Sequence, residues 1–237
     1  MPEEKPWWIL VGGMRRLGRA LAEDLAQDHA LVLTGSQDAE EDWLKGLARR
    51  TSLRTFRWDA MDPELDAQMM ADLAGLESAG IRLAGAVIVA GVFPEHPFGA
   101  WTMEELDNIW RVNLSFPMLC AQALAPRLTE GSCIQFLLDT SIHRPFLKRL
   151  PYSASKSGLA SLVPGLAQLL APRLRVVGHA MGTALPDESS DPQWLASRSL
   201  LKRNGSPADV ARSLRFASES TYLTGEIITL DGGRRWR

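Results

Sequence analysis

The stretch Val11-Gly12-Gly13-Met14-Arg15-Arg16-Leu17-Gly18-Arg19 decides the fold. It joins a short apolar run at 7–11 to an amphipathic stretch at 17–27, so it reads as a first strand, a tight turn and a first helix. Glycines there let the backbone turn sharply and come close to a pyrophosphate. The start of the helix then offers unpaired N–H groups and partial positive charge. Taken alone, such a loop is as readily an ordinary glycine turn. Its place between the first strand and first helix of an alternating chain makes it a phosphate cradle.

The rest of the chain keeps the same rhythm. Apolar runs at 30–34, 53–58, 83–90, 133–138, 174–180 and 227–230 have strand length, and amphipathic stretches at 40–49, 63–78, 103–127, 153–170 and 207–217 separate them. Near-continuous apolar strands alternating with helices imply a parallel sheet covered on both faces. The predicted fold class is α/β: a single doubly wound Rossmann-type domain over 1–237, with a seven-stranded parallel sheet. Ligands bind such sheets at the carboxyl ends of the strands. Residues 182–204, rich in Ser, Asp and Pro and without clear period, lie at that edge and read as a substrate lid.

Composition excludes several classes. The chain has 237 residues, 46% hydrophobic and 23% charged, with a formal net charge of −2. That is enough for one buried core and carries no basic footprint for nucleic acid. No apolar stretch has membrane-spanning length, and the first residues lack the pattern of a signal peptide, so a cytoplasmic protein is expected. Cys120 and Cys133 have no metal-ligand spacing, no metal site is expected, and both read as buried thiols.

The chemistry gathers at Tyr152-Ser153-Ala154-Ser155-Lys156. Residues i and i+4 share a helix face, so phenol and ammonium reach one cleft. An adjacent ammonium is expected to lower the tyrosine pKa towards the working range, preparing it for proton transfer. Two such residues are more often surface neighbours; small residues between them and their place after the fifth strand favour the functional reading.

On these residues, with Asn113 and the closing Asp231-Gly232-Gly233, the chain resembles the short-chain dehydrogenase/reductase family over nearly its whole length. The resemblance implies that Tyr152 is the general acid and that Lys156 also holds the nicotinamide ribose. It implies that Asn113 holds a water in a proton relay, and that the protein is a dimer or tetramer packed through its long helices. Pro164 predicts a kink in the second of them. The cofactor-binding set is then Gly12, Arg15, Arg16, Leu17, Gly18, Ser36, Asp59, Ala90, Gly91, Lys156 and Gly182. Arg16 stands where most members have glycine and can clamp a 2′-phosphate. The second strand ends in Thr34-Gly35-Ser36 rather than an acid for the ribose hydroxyl, so NADP(H) is predicted; Asp38 nearby keeps NAD(H) open. Asp59 can meet the adenine, or simply close its strand as a capping residue.

Asp139 occupies the position of the family's usual serine, with Thr140 and Ser141 available as substitutes after a small register shift. Asp139 and Arg16 together are similar to the pteridine reductases and bacterial dihydromonapterin reductases. That resemblance implies a pterin substrate, an Asp139 that relays a proton, and a Phe93 that stacks on the ring; the alternative for Phe93 is an ordinary loop or core aromatic. The family's Asn-Asn-Ala-Gly is Ile88-Val89-Ala90-Gly91 here, which removes a bracing network; its Pro-Gly is Met181-Gly182, and its loop threonine is Val11. Two other readings stand beside the pterin reductase: a carbonyl reductase or alcohol dehydrogenase for another small substrate, and a cofactor-binding sensor with little turnover.

Overall fold

The computed structural model describes residues 5–186 and 190–237. Seven parallel strands form one sheet in the order β3-β2-β1-β4-β5-β6-β7. They are β1 Trp7–Val11, β2 Ala30–Gly35, β3 Leu53–Arg57, β4 Leu83–Ile88, β5 Leu128–Asp139, β6 Arg175–Met181 and β7 Ile227–Leu230. The order reverses between β1 and β4, which opens the crevice expected at the switch point of a doubly wound sheet.

Among the described residues, eight α-helices connect and cover the strands: α1 Arg16–Leu25, α2 Glu41–Ala48, α3 Leu65–Ser78, α4 Met103–Trp110, α5 Phe116–Leu124, α6 Leu150–Leu170, α7 Pro192–Ser197 and α8 Pro207–Glu219. Strand residues alternate between two cores. Ile9, Val11, Ile88 and Phe136 pack with Leu73, Leu124 and Val163 from α3, α5 and α6. Trp8, Leu10, Leu31 and Val87 pack on the other face with Leu21, Leu25 and Leu214 from α1 and α8. This period-two split is why the runs look continuously apolar. Arg215 of α8 ties that layer to the end of α1, donating to Asp24 Oδ1 at 2.6 Å and Asp28 Oδ2 at 2.7 Å.

Three sequence expectations need correction. The fourth strand stops at Ile88, because the amides of Val89 and Ala90 both turn onto the single Val11 carbonyl, at 2.8 and 3.1 Å, and the ladder ends. The fifth begins at Leu128, well before 133; its first residues look like a turn because Gly131 sits at φ +81° while pairing continues through a register shift. The expected helix at 103–127 is interrupted by a π-helical turn at Arg111–Ser115 and ends in a 3₁₀ turn at Ala125–Arg127. Pro117 has no N–H to donate back along the helix, and the Phe116 amide reaches the Arg111 carbonyl five residues earlier. Among the other bounds, α6 starts at Leu150 with Pro151 in its first turn and is assigned as one helix through Pro164.

Cys120 and Cys133 are buried free thiols, and burial pushes Cys133 up to about 12. No helix among the described residues is long and apolar enough to cross a membrane.

One buried polar network was not legible beforehand. His179 on β6 is fully buried, with Nε2 2.9 Å from Gln135 Oε1 and Nδ1 2.9 Å from Ser213 Oγ. The neutral ring satisfies both partners, donating to the glutamine carbonyl and accepting from the serine hydroxyl. Burial lowers its pKa from 6.5 to about 4. The unfolded chain therefore takes up a proton first as pH falls. The stabilisation is whole above pH 6.5 and is lost towards pH 4, by about 3 kcal/mol. Denaturant titrations at pH 7 and pH 4.5 should show this loss, and His179→Gln should flatten it. An acid limb of equal depth in the variant would show that another group carries it.

Candidate active site

The crevice holds a cleft of about 510 Å³ above the carboxyl ends of β1, β4 and β5. Its cofactor end is built from the turn after β1. Gly12 sits at φ +85°, where a Cβ would lie 2.8 Å from the Ala90 nitrogen, and a Cβ on Gly18 would lie 2.0 Å from the Gly12 carbonyl oxygen. Gly12 and Gly13 both donate to the Thr34 carbonyl, at 3.0 and 2.9 Å, which pins the loop to β2. The following helix begins at Arg16 with no side-chain cap, so its first amides face the cleft. A backbone cradle this close, with an uncapped helix start, fits a dinucleotide pyrophosphate. Arg16 itself takes φ +46°, the left-handed region that favours glycine. For a side-chain-bearing residue that conformation costs about 1–2 kcal/mol, and it holds the guanidinium at the cleft wall.

Arg15, Leu17, Ser36, Ala90 and Gly91 line the same cleft, as does Asp59. Arg15 donates to Gln37 Oε1 at 2.8 Å. Asp59 accepts the Met61 amide at 3.0 Å, so the capping reading describes what its carboxylate does here. Gly182 lies in an adjoining chamber of about 500 Å³ rather than in the main cleft, its amide donating to the Leu230 carbonyl at 2.9 Å. A residue missed in the sequence is Arg57, whose Nε donates to the Ser36 carbonyl at 3.3 Å. Arg57 ends β3 directly opposite Gly35, a pairing that sequence spacing alone does not reveal.

Tyr152, Lys156 and Asp139 line one pocket with Phe93. The first two project from the opening turns of α6; Asp139 ends β5, where it accepts the Ser141 amide at 2.6 Å. Ser141 is fully buried with its amide turned back onto Asp139, while Asp139 and Thr140 both line the chamber. Asp139 is partly open to the pocket and closed in by protein elsewhere; burial holds its pKa above the usual carboxylate range, against Ser141, Lys156 and Arg234. Lys156 donates to the Leu137 carbonyl at 3.0 Å, and burial brings its pKa down to about 8 although the Asp139 charge opposes this.

The expected lowering of the tyrosine pKa is not found. Burial raises Tyr152 well above 10, and the charge and hydrogen-bonding contact of Asp139 push it further up. The lysine Nζ lies 6.0 Å from the ring centroid and is directed at a backbone carbonyl. In this state the group is a phenol, a proton donor rather than an acceptor.

Asn113 is fully buried on the π-helical turn, outside the cleft lining. Its Oδ1 accepts the Val92 amide at 2.9 Å and its Nδ2 donates to the Val92 carbonyl at 3.0 Å. The same oxygen lies where a Cβ on Gly91 would approach to 2.9 Å. This side chain braces the loop after β4, the segment left without its asparagine pair by Ile88 and Val89. Phe93 stands edge-on to Tyr152, with ring centroids 4.5 Å apart, and the Arg149 guanidinium covers its ring at 3.8 Å. Arg149 also donates to the Phe93 carbonyl and pairs with Glu95 Oε2 at 2.7 Å.

Part of the expected lid at 182–204 is structured. It carries α7 and is bonded to the C-terminal turn through the Leu200 amide and Gly232 carbonyl at 2.9 Å. Residues 187–189 of that lid lie outside the described residues.

The family model described as enoyl-(acyl carrier protein) reductase matches residues 12–235. The chain is 29% identical over 137 residues to the short-chain dehydrogenase/reductase SDRA of Arabidopsis thaliana, an alignment covering 54% of each; it spans about half the length of that relative. It is 28% identical to carbonyl reductase family member 4 of Danio rerio, over 95% of this chain and 96% of that one. Among solved structures, a blue fluorescent protein from a metagenomic library in complex with NADPH superposes with a TM-score of 0.87 at 22% identity, covering 98% of each chain.

Proposed function

The chain belongs to the short-chain dehydrogenase/reductase family, and from that premise we propose that it is an NADPH-dependent reductase acting on a C=N bond of a dihydropterin. The observation that carries this reading is Asp139 beside Tyr152 in one pocket, each held towards its protonated form. Saturating a C=N bond requires hydride at the carbon and a proton at the nitrogen, and this pair offers protons rather than removing them.

The cradle around Gly12 and Gly18 suits the pyrophosphate, and Arg15, Arg16 and Arg57 gather near Ser36, where a 2′-phosphate would sit. The NADPH complex of the fold neighbour is consistent with that preference. Bound there, the dihydronicotinamide supplies the hydride and is oxidised. Lys156 reaches the ribose side of the cleft and, with a pKa of about 8, remains mostly protonated at pH 7. Tyr152 donates its phenolic proton to the substrate nitrogen. Asp139, lining the same pocket, relays a proton from the cleft solvent back to the phenolate. Phe93 walls the pocket, standing edge-on to Tyr152.

Purified protein with NADPH and 7,8-dihydrobiopterin, dihydromonapterin or dihydrofolate should oxidise NADPH well above background, followed at 340 nm. Absence of oxidation with all three would sink the pterin reading. A second reading, reduction of ketones or aldehydes, is favoured by the similarity to carbonyl reductase family member 4. It is distinguished by Asp139→Ser: ketone turnover should survive that change, whereas dihydropterin turnover should fall about a hundredfold or more.

A further inference from the structure

The catalytic chamber does not end at Phe93. Phe93, Thr140, Phe146 and Arg234 line both the chamber at Asp139 and a second cavity of about 420 Å³ that continues it outwards. The outer cavity is strongly basic: Arg144, Lys148, Arg149, Arg198, Arg234 and Arg235 contribute to its wall, with Glu95 as its one acid among the described residues. Glu95 is already engaged, at 3.2 Å by Lys148 and 2.7 Å by Arg149. Arg144, Arg198, Arg234 and Arg235 have no carboxylate ion pair among the described residues.

Arg234 stands where the two cavities meet, and its position is built rather than incidental. β7 ends in a turn that Asp231 closes by accepting the Gly233 amide at 2.8 Å and the Arg235 amide at 2.9 Å. The guanidinium between them in sequence donates to Thr183 Oγ1 at 3.0 Å and lies 5.6 Å from the Phe146 ring centroid. It is half-buried; burial lowers its pKa, the charges of Asp139 and Asp231 counteract this, and the charge of Arg198 adds to it. Arg198 is itself set 5.6 Å over the Trp194 ring of α7. The half-buried Arg234 and the exposed Arg198 repel each other and face one cavity, an electrostatic cost that an anion bound there would relieve. Their forked donors match the paired oxygens of an oxyanion.

We propose that Arg234 and Arg198 dock an anionic group of the substrate, a carboxylate, sulfonate or phosphate, at the outer end of the cleft whose inner end holds Tyr152 and Asp139. This rests on the reductase reading only in placing the reacting centre at the inner end. Among dihydropterins this favours a dihydrofolate-like substrate, whose tail is acidic, over dihydrobiopterin or dihydromonapterin, whose side chains are neutral; more broadly the class is a reducible ring or carbonyl carrying an acidic tail.

The test measures binding, so it is independent of turnover. The probes are 4-formylbenzoate and its neutral methyl ester, titrated calorimetrically into the full chain loaded with NADP⁺. The carboxylate is expected to bind about tenfold more tightly or better, equivalent to 1.4 kcal/mol, with the ratio shrinking at high salt. Combined Arg234→Gln and Arg198→Gln should bring the ratio near one, Arg234→Lys should keep part of it, and Arg54→Gln, an exposed arginine on β3, should leave it unchanged. Equal binding of both probes, a ratio untouched by the double change, or no binding of either to protein that takes up NADP⁺ normally would overturn the proposal. Arginine-dependent binding of the carboxylate, without NADPH oxidation by any dihydropterin, would instead uphold this site and defeat the pterin reading.

Discussion

Tyr152→Phe is expected to lower kcat for NADPH-dependent reduction by about 10²–10⁴-fold, with the NADPH dissociation constant unchanged. The change removes one oxygen and leaves the ring that packs against Phe93 at 4.5 Å, so the fold and the pocket wall persist. What disappears is the proton donor. The direction of the Tyr152 pKa makes the effect large: a phenol that burial and Asp139 keep protonated is the pocket's ready source of a proton at neutral pH. Single-turnover rates at saturating NADPH, beside a fluorescence titration of the cofactor, check both halves. A variant that retained wild-type kcat would remove Tyr152 from the reaction.

An equally large loss, by a different route, is expected from Gly18→Ala. The added methyl would sit 2.0 Å from the Gly12 carbonyl oxygen and 2.9 Å from the Gly13 Cα. Both contacts are backbone, so no side chain can swing aside. The start of α1 and the turn after β1 must separate, and the amides that form the phosphate cradle lose their common direction. Overpacking of this kind costs about 1–3 kcal/mol in stability. We expect NADPH affinity to fall about a hundredfold, equivalent to roughly 2.7 kcal/mol, while the sheet itself survives, because its strands are held by two separate cores. A titration showing affinity within threefold of wild type would contradict the cradle geometry.

How far the chain can be read without coordinates differs from element to element. The sheet was legible because buried parallel strands must be apolar on both faces, and Trp7–Val11 and Ile227–Leu230 fall where the apolar runs placed them. The tight turn after β1 was legible because close backbone approach demands glycine locally. The helix at 103–127 was not: its apolar period continues through Pro117, and only hydrogen bonding shows the π turn that aims Asn113 at Val92. The tyrosine pKa was read in the wrong direction, since spacing put Lys156 on the right face but said nothing of burial or of which group its ammonium bonds. Arg149 over Phe93 and Arg234 beside Thr183 join residues 56 and 51 positions apart in the chain. Long-range partners of this kind leave no periodic trace.

The most direct test of the proton-donating pair is the pH dependence of kcat/KM for dihydrobiopterin in the wild type and in Asp139→Asn. Burial lifts the Asp139 pKa, so the carboxyl is protonated at low pH and loses its proton as pH rises through a point above the normal carboxylate range. Reduction by the wild type should therefore decline with rising pH through that point. Asp139→Asn should be slower and should lack that limb. A variant showing the same decline at the same pH, with undiminished rate, would contradict the assignment of Asp139 and Tyr152 as the pair that delivers the proton.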